Sequence, residues 1–145
     1  MILKEITIPS IEEYAEYQNI IPNADWWWLR SPGRLQNCAV GVCPDGTLDE
    51  DGFDVCFSEI SVRPVLKFSL EPADALFWQK REILIGSKMQ YGKCDWTILS
   101  VKDNELYMIC SEYIGERCFD SKSNDWETSE LKTWLEAEGL KCITT

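Results

Sequence analysis

The most distinctive segment of the sequence is Trp26-Trp27-Trp28-Leu29-Arg30-Ser31-Pro32-Gly33. Successive side chains of an extended strand point to opposite faces, so three adjacent indoles cannot all be buried on one side. We therefore expect at least one of them to face a groove or a partner, where an exposed indole would stack on a base, a sugar ring or a protein side chain. The alternative is that the three rings pack the sheet against loops on both of its faces.

Short β segments surround this stretch. The turn dipeptides Asp45-Gly46 and Asp51-Gly52 separate apolar runs over residues 39–42 and 53–57, and Asp103-Asn104 predicts a hairpin turn. In the run 53–57, the side chains of Phe53, Val55 and Phe57 share one face, which we expect to be buried. Further strands are predicted over residues 2–8, 62–68, 83–85, 96–101 and 106–110.

Two helices flank these strands. Ser10 and Glu13 have the spacing of a capping box, which predicts a helix over residues 11–18. Asn124 and Glu127 suggest a second cap, opening a helix through about residue 138 with Gly139 as its stop. Trp134 lies on the apolar face of this second helix, and we expect it to be structural.

These elements predict an α+β fold, in which small twisted antiparallel sheets carry flanking helices. They divide into a first lobe, residues 1–70, and a second lobe, residues 71–145, made of a β-hairpin and the C-terminal helix. A lobe of about 70 residues would be only marginally stable alone, so we expect the two lobes to share one core.

The charge and the amino-acid composition disfavour several classes of function. The chain of 145 residues carries 25 acidic and 14 basic residues, and its net charge of −11 disfavours direct binding to nucleic acid. It contains no histidine, the commonest general base and a frequent metal ligand. We therefore expect a protein that is not an enzyme and holds neither a cofactor nor a metal.

The apolar segments and the cysteines indicate the cellular compartment of the protein. No apolar stretch approaches the about 20 residues that a membrane span needs, and residues 1–8 lack the apolar core of a signal peptide. The seven cysteines include no Cys-x-x-Cys pair, so we expect reduced thiols, with one or two disulfides as the alternative. We predict a cytoplasmic protein with no membrane contact.

A group of carboxylates lies on the predicted hairpin turns, and its members are Asp45, Asp49, Glu50, Asp51 and Asp54. Its spacing does not match the loop of an EF-hand. A solvated loop face, a calcium site and a patch for a basic partner all remain open for it.

Arginines lie beside segments predicted to be buried. Arg30 and Arg63 should therefore be paired with carboxylates or backbone carbonyls, and the alternative is a guanidinium that is free to bind a ligand anion. We assign Arg63 a structural role. Arg30 and Arg34, which belong to the Trp-rich segment or follow it, are candidate binding residues.

The segments Trp27-Trp28-Leu29-Arg30-Ser31-Pro32-Gly33 and Val62-Arg63-Pro64-Val65-Leu66 resemble the "WWLRSPG … VRPAL" family of bacterial and phage proteins, the DUF6273 type. Residues 126–135 resemble the Trp-Glu-x-Ser helix of the same family, although that lobe usually comes first and here comes second. The resemblance implies a C-type-lectin-like first lobe that presents a variable binding face. It also implies a protein encoded by a phage or mobile element of gut Firmicutes. The family carries no catalytic residues over to this chain.

We therefore predict a non-enzymatic binding module that acts through a protein partner. The predicted binding residues are Trp26, Trp27, Trp28, Arg30, Arg34, Asp45, Asp49, Glu50, Asp51 and Asp54. One specific form is an acidic, anti-CRISPR-like phage inhibitor of a bacterial defence nuclease, whose carboxylates would mimic nucleic-acid phosphates in the channel of a nucleic-acid-processing partner. The other alternative is a binder of carbohydrates or small ligands that uses a tryptophan platform.

Overall fold

The computed structural model describes residues 1–74 and 85–144. The strand predicted over residues 83–85 lies outside the described residues, except for Ile85, which is part of a turn. The eight strands are β1 (Ile2–Thr7), β2 (Trp27–Pro32), β3 (Cys38–Val42), β4 (Leu48–Asp54), β5 (Val65–Ser69), β6 (Lys88–Tyr91), β7 (Cys94–Lys102) and β8 (Glu105–Cys110). None of the described helices combines the length and hydropathy of a membrane-spanning segment.

The strands form two antiparallel sheets. The large sheet has the order β1-β5-β8-β7-β6, and the small sheet has the order β2-β3-β4. Because helices accompany both sheets, the α+β prediction is confirmed. The Asp103-Asn104 turn joins β7 to β8, and both of its residues have positive φ, the conformation of the favoured two-residue hairpin turn.

The first helix, α1 (Ile11–Tyr17), begins as the sequence predicts. The Ser10 hydroxyl oxygen accepts a hydrogen bond from the Glu13 amide at 3.1 Å, and the Glu13 carboxylate accepts one from the Ser10 amide at 2.9 Å. This capping box satisfies two amides that have no partner within the helix.

The C-terminal helical run departs from its prediction. It follows a 3₁₀ turn (Trp126–Thr128) and consists of α2 (Glu130–Trp134), a π-helical segment (Leu135–Gly139) and α3 (Leu140–Thr144). Ser129 caps α2, whereas the Asn124 side chain donates to the carbonyls of Leu35 and Cys38. Gly139 does not end the helix. It makes room for packing, since a Cβ there would lie 2.8 Å from the Leu135 side chain.

The two predicted lobes share the large sheet and the hydrophobic core. Strand β5 belongs to residues 1–70 but pairs with β8 of residues 71–145 as well as with β1. Each of the two described hydrophobic clusters contains residues from both sides of this boundary. The boundary at residue 70 therefore does not separate two packed units.

Alternation along the strands divides the core into two clusters. On β8, Leu106 and Met108 belong to one cluster, and Tyr107 and Ile109 belong to the other. The large sheet is thus covered on both faces. This arrangement explains why so many consecutive residues of β7 and β8 are buried.

Candidate functional site

The three adjacent indoles have different environments. Trp28 packs into one hydrophobic cluster and Trp27 into the other, and both side chains are fully buried. The Trp27 indole N–H donates to the Asn23 side chain at 2.8 Å, and the Trp28 indole N–H donates to the Arg117 carbonyl at 2.8 Å. The expectation that Trp27 and Trp28 contact a partner is therefore wrong, because both sides of β2 are covered.

Trp26 precedes β2 and is the exposed indole of the three, with 42% of its surface accessible. Its carbonyl accepts a hydrogen bond from the Ser61 amide at 2.8 Å, and the Ser61 carbonyl accepts one from the Trp28 amide at 3.2 Å. This pairing lays the segment around Ser61 alongside the start of β2. A groove results between Trp26 and the chain that leads into Ser61.

The groove has a volume of about 460 Å³. It is open to solvent, and its lining is mostly apolar: Trp26, Phe53, Cys56, Phe57, Ser58, Glu59 and Ile60. The rings of Trp26 and Phe53 lie 5.4 Å apart at an interplanar angle of 80°. We call this site the Trp26 groove.

A turn after β4 supplies one side of the groove. The Asp54 side chain accepts a hydrogen bond from the Cys56 amide at 2.9 Å, and its carbonyl accepts one from the Phe57 amide at 3.0 Å. These bonds end the strand at Asp54. The prediction that Phe57 shares the buried face with Phe53 and Val55 is wrong for this reason, and Phe57 is 55% exposed.

The predicted acidic residues lie around the β3–β4 hairpin, where several of them organise the turns. Asp45 accepts hydrogen bonds from the side chain and the amide of Thr47, and these bonds lower its pKa. Asp49 accepts a hydrogen bond from the Gly52 amide at 3.1 Å, whereas Glu50 and Asp51 are exposed. Within residues 1–74 and 85–144, no three acidic or cysteine side chains are grouped as metal ligands.

The acidic character extends beyond these five residues. Between Arg34 and Arg63 the chain has six carboxylates and no basic residue, and the sixth carboxylate is Glu59 in the groove itself. The hairpin and most of the lining of the Trp26 groove therefore belong to one acidic stretch, residues 35–62.

Arg30 and Arg34 do not form a common site. Arg30 donates to the Ile8 carbonyl at 2.7 Å and pairs with the Glu13 carboxylate, so it holds α1 against β2 and is not free to bind a ligand. The predicted pairing of Arg30 is therefore confirmed, and its assignment as a binding residue is corrected. Arg34 is exposed, and its amide donates to the Asp51 carbonyl at 2.8 Å beside the acidic hairpin.

Arg63 is buried and paired, as predicted, with only 1% of its surface accessible. Its guanidinium donates to the carbonyls of Cys110 at 2.7 Å and Pro22 at 2.5 Å. It also lies over the rings of Trp27 and Tyr113. Burial lowers the pKa of Arg63, and the carbonyls and π faces take the place of water around the charge.

Trp134 is half-buried and packs against the hydrophobic cluster that contains Trp28. The centre of its ring lies 4.4 Å from the Arg117 guanidinium carbon. These contacts agree with the structural role predicted for it.

All seven cysteines are free thiols in the structure. Cys94 and Cys110 are buried, and burial raises the pKa of Cys110 to about 12, so this thiol is protonated at neutral pH. Cys56 lines the Trp26 groove, and Cys118 donates to the Cys56 carbonyl at 2.8 Å.

Sequence reasoning found Trp26 but missed most of the lining of its groove. Phe53 and Phe57 could have been identified from the sequence. Asp54 follows Phe53, and a turn at Asp54 gives the two rings different environments. Glu59 and Ile60 enter the groove through the pairing of Ser61 with Trp26, which no local pattern encodes.

Comparison of the chain with family models, with curated proteins and with solved structures found no match. The resemblance of the first lobe to C-type-lectin-like proteins therefore stays a prediction.

Proposed function

We propose that the protein is a non-enzymatic binding module that holds a basic segment of a partner protein at the Trp26 groove. The observation that carries this proposal is the exposure of Trp26 and Phe57 in an open groove, most of whose lining comes from a stretch, residues 35–62, that has six carboxylates and no basic residue.

Aromatic side chains at the centre of a recessed site are the residues that most often dominate protein–protein affinity. The ring contact of Trp26 with Phe53 supports the indole from the side of β4. Phe57 is held outward by the Asp54 turn. A partner that covers these rings would remove apolar surface from water without a large rearrangement of the module.

The negative charge of the module determines the kind of partner that it would bind. The acidic stretch 35–62 would attract a basic segment and speed its association, most strongly at low ionic strength. It would repel nucleic acid and acidic protein surfaces. The Trp26 groove would then add the short-range contacts that hold the complex together.

A second candidate is an inhibitor of a bacterial defence nuclease, in which the carboxylates would occupy a channel that otherwise binds phosphates. The uninterrupted acidic stretch favours this form. The apolar lining of the groove favours contact with a protein side chain, so we rank the general module first. The family resemblance supports a phage or mobile-element origin and a cytoplasmic location for either form.

Affinity capture with matched variants tests the proposal. Tagged wild type, the double variant Trp26→Ala/Phe57→Ser and the control Leu35→Ser are each incubated with a Firmicute lysate, and retained proteins are quantified by mass spectrometry. Leu35 is a suitable control because it is an exposed apolar residue, 59% accessible, that does not line the groove. A circular dichroism melt of each variant establishes that it is folded.

We expect a protein with a basic segment to be retained by wild type and Leu35→Ser and reduced at least tenfold with the double variant. Its retention should also fall in about 0.5 M salt. Equal retention by all three would contradict the proposal. Binding of glycans in place of protein would support the tryptophan platform for carbohydrates instead.

A further inference from the structure

The rings of the Trp26 groove are arranged to receive a positive charge. Trp26 and Phe53 form an edge-to-face pair, with ring centroids 5.4 Å apart at 80°, and this contact fixes the exposed Trp26 ring at the groove. Phe57 adds a third ring at the solvent side, and Glu59 adds a carboxylate to the same lining. A cation over the face of an aromatic ring is attracted by the negative charge of that face, and tryptophan gives the strongest attraction.

The protein already uses this interaction in its interior and on its surface. Within the described residues, basic side chains lie over the rings of Trp27, Tyr107, Tyr113 and Trp134, at distances from 4.4 to 5.5 Å. Trp26, Phe53 and Phe57 are not among the described rings that carry a basic side chain. Trp26 and Phe57 are exposed, so their faces are available to a cation from outside the chain, whereas Phe53 packs against Trp28 and Gly41 and supports the Trp26 ring.

The electrostatic setting distinguishes a cation from an aliphatic side chain. Glu59 belongs to the lining of the groove, and Asp25 precedes Trp26 in the chain, where its carboxylate accepts hydrogen bonds from the Trp26 amide at 2.8 Å and from the Ser61 hydroxyl at 3.2 Å. An aliphatic occupant would gain nothing from these carboxylates, whereas a guanidinium or ammonium group would gain from both the rings and the charges.

We propose that the Trp26 groove binds the cationic head of an arginine or lysine side chain of the partner. This inference rests on the proposed function, because it names the group by which the basic segment is held. The planar guanidinium fits best, since it stacks on a ring while its N–H groups reach a carboxylate. The methylene stem would cover Phe57 and Ile60.

Nuclear magnetic resonance with small probes tests this inference on the full chain. Methylguanidinium chloride is titrated while the indole N–H signals are recorded, and the Trp26 signal is assigned by its loss in Trp26→Phe. Neopentanol serves as a neutral apolar probe, and sodium chloride controls for ionic strength. The buried indoles of Trp27 and Trp28 are internal references, since their N–H groups are hydrogen-bonded within the protein.

We expect methylguanidinium to shift the Trp26 signal with saturation in the millimolar range, and sodium chloride and neopentanol to leave it in place. Glu59→Gln should weaken the methylguanidinium affinity at least about threefold. Glu12→Gln, which removes an exposed carboxylate outside both the groove lining and the acidic stretch 35–62, should change it by less than about twofold. Both are surface substitutions that leave the packing of the core intact.

A shift with neopentanol and none with methylguanidinium would overturn the inference and leave the groove as an apolar anchor for the proposed partner. A groove that responds to neither probe would also overturn it. In that case the capture experiment with Trp26→Ala/Phe57→Ser decides separately whether the proposed function survives.

Discussion

At the scale of single residues, Arg63 shows how a charge is accommodated inside the protein. Its partners are two backbone carbonyls and two aromatic rings, with no carboxylate within ion-pair distance among the described residues. Carbonyls that lose a buried donor keep the full cost of their desolvation. Through its hydrogen bonds to these two carbonyls, Arg63 connects the loop at Pro22 with the end of β8.

We predict that Arg63→Ala lowers the free energy of unfolding by about 2–4 kcal/mol, because two carbonyls lose their donor and the space beside Trp27 is left empty. Urea unfolding followed by tryptophan fluorescence measures the change. Arg34→Ala is the matched control, since Arg34 is exposed and its side chain should contribute less than about 0.5 kcal/mol. A loss of the same small size for Arg63→Ala would contradict the structural role.

At the scale of elements, α1 is joined to the sheet through Glu13. Its carboxylate accepts from the Ser10 amide, pairs with Arg30 and lies 3.5 Å from the Lys67 ammonium. Burial raises the pKa of Glu13, but the hydrogen bond from Arg30 and the bond from the Ser10 backbone outweigh it, so the pKa lies below its ordinary value of 4.5. The folded state thus favours the ionised form.

A carboxylate with a depressed pKa stabilises the fold above the pH at which it titrates in the unfolded chain, and this stabilisation is lost as the pH falls through the folded pKa. We predict that Glu13→Gln costs about 1–2 kcal/mol at pH 7, and that the difference from wild type shrinks as the pH is lowered below 4.5. Urea unfolding across this pH range measures it. Glu12→Gln, in the same turn but exposed, should change stability by less than about 0.5 kcal/mol.

The secondary-structure elements also show which parts of the fold can be predicted from the sequence. Local chemistry predicted α1 from Ser10 and Glu13 and the β7–β8 hairpin from Asp103-Asn104, because caps and turns depend on neighbouring residues. The order of the large sheet and the continuation of the C-terminal helix through Gly139 depend on distant packing. The Trp26 groove combines both cases, since the exposed indole was predicted and the opposing wall was not.

At the scale of the whole molecule, strands from both sides of residue 70 share one sheet and two clusters. We predict a single cooperative unfolding transition, in which tryptophan fluorescence and far-ultraviolet circular dichroism give the same midpoint in urea. Trp28 reports on the small sheet and Trp96 on the large sheet, so fluorescence samples both. Two separated transitions would show that the sheets unfold as independent units.

If the Trp26 groove is the surface that meets a basic partner segment, a photo-cross-linker placed in the groove should react with that segment. p-Benzoylphenylalanine is placed at position 57 in one variant and at position 35 in another, both of which are exposed apolar positions. After irradiation with the captured partner, we predict a cross-link from position 57 to a partner peptide that contains arginine or lysine, and none from position 35. Cross-linking from position 35 with none from position 57 would show that the partner binds elsewhere on the protein.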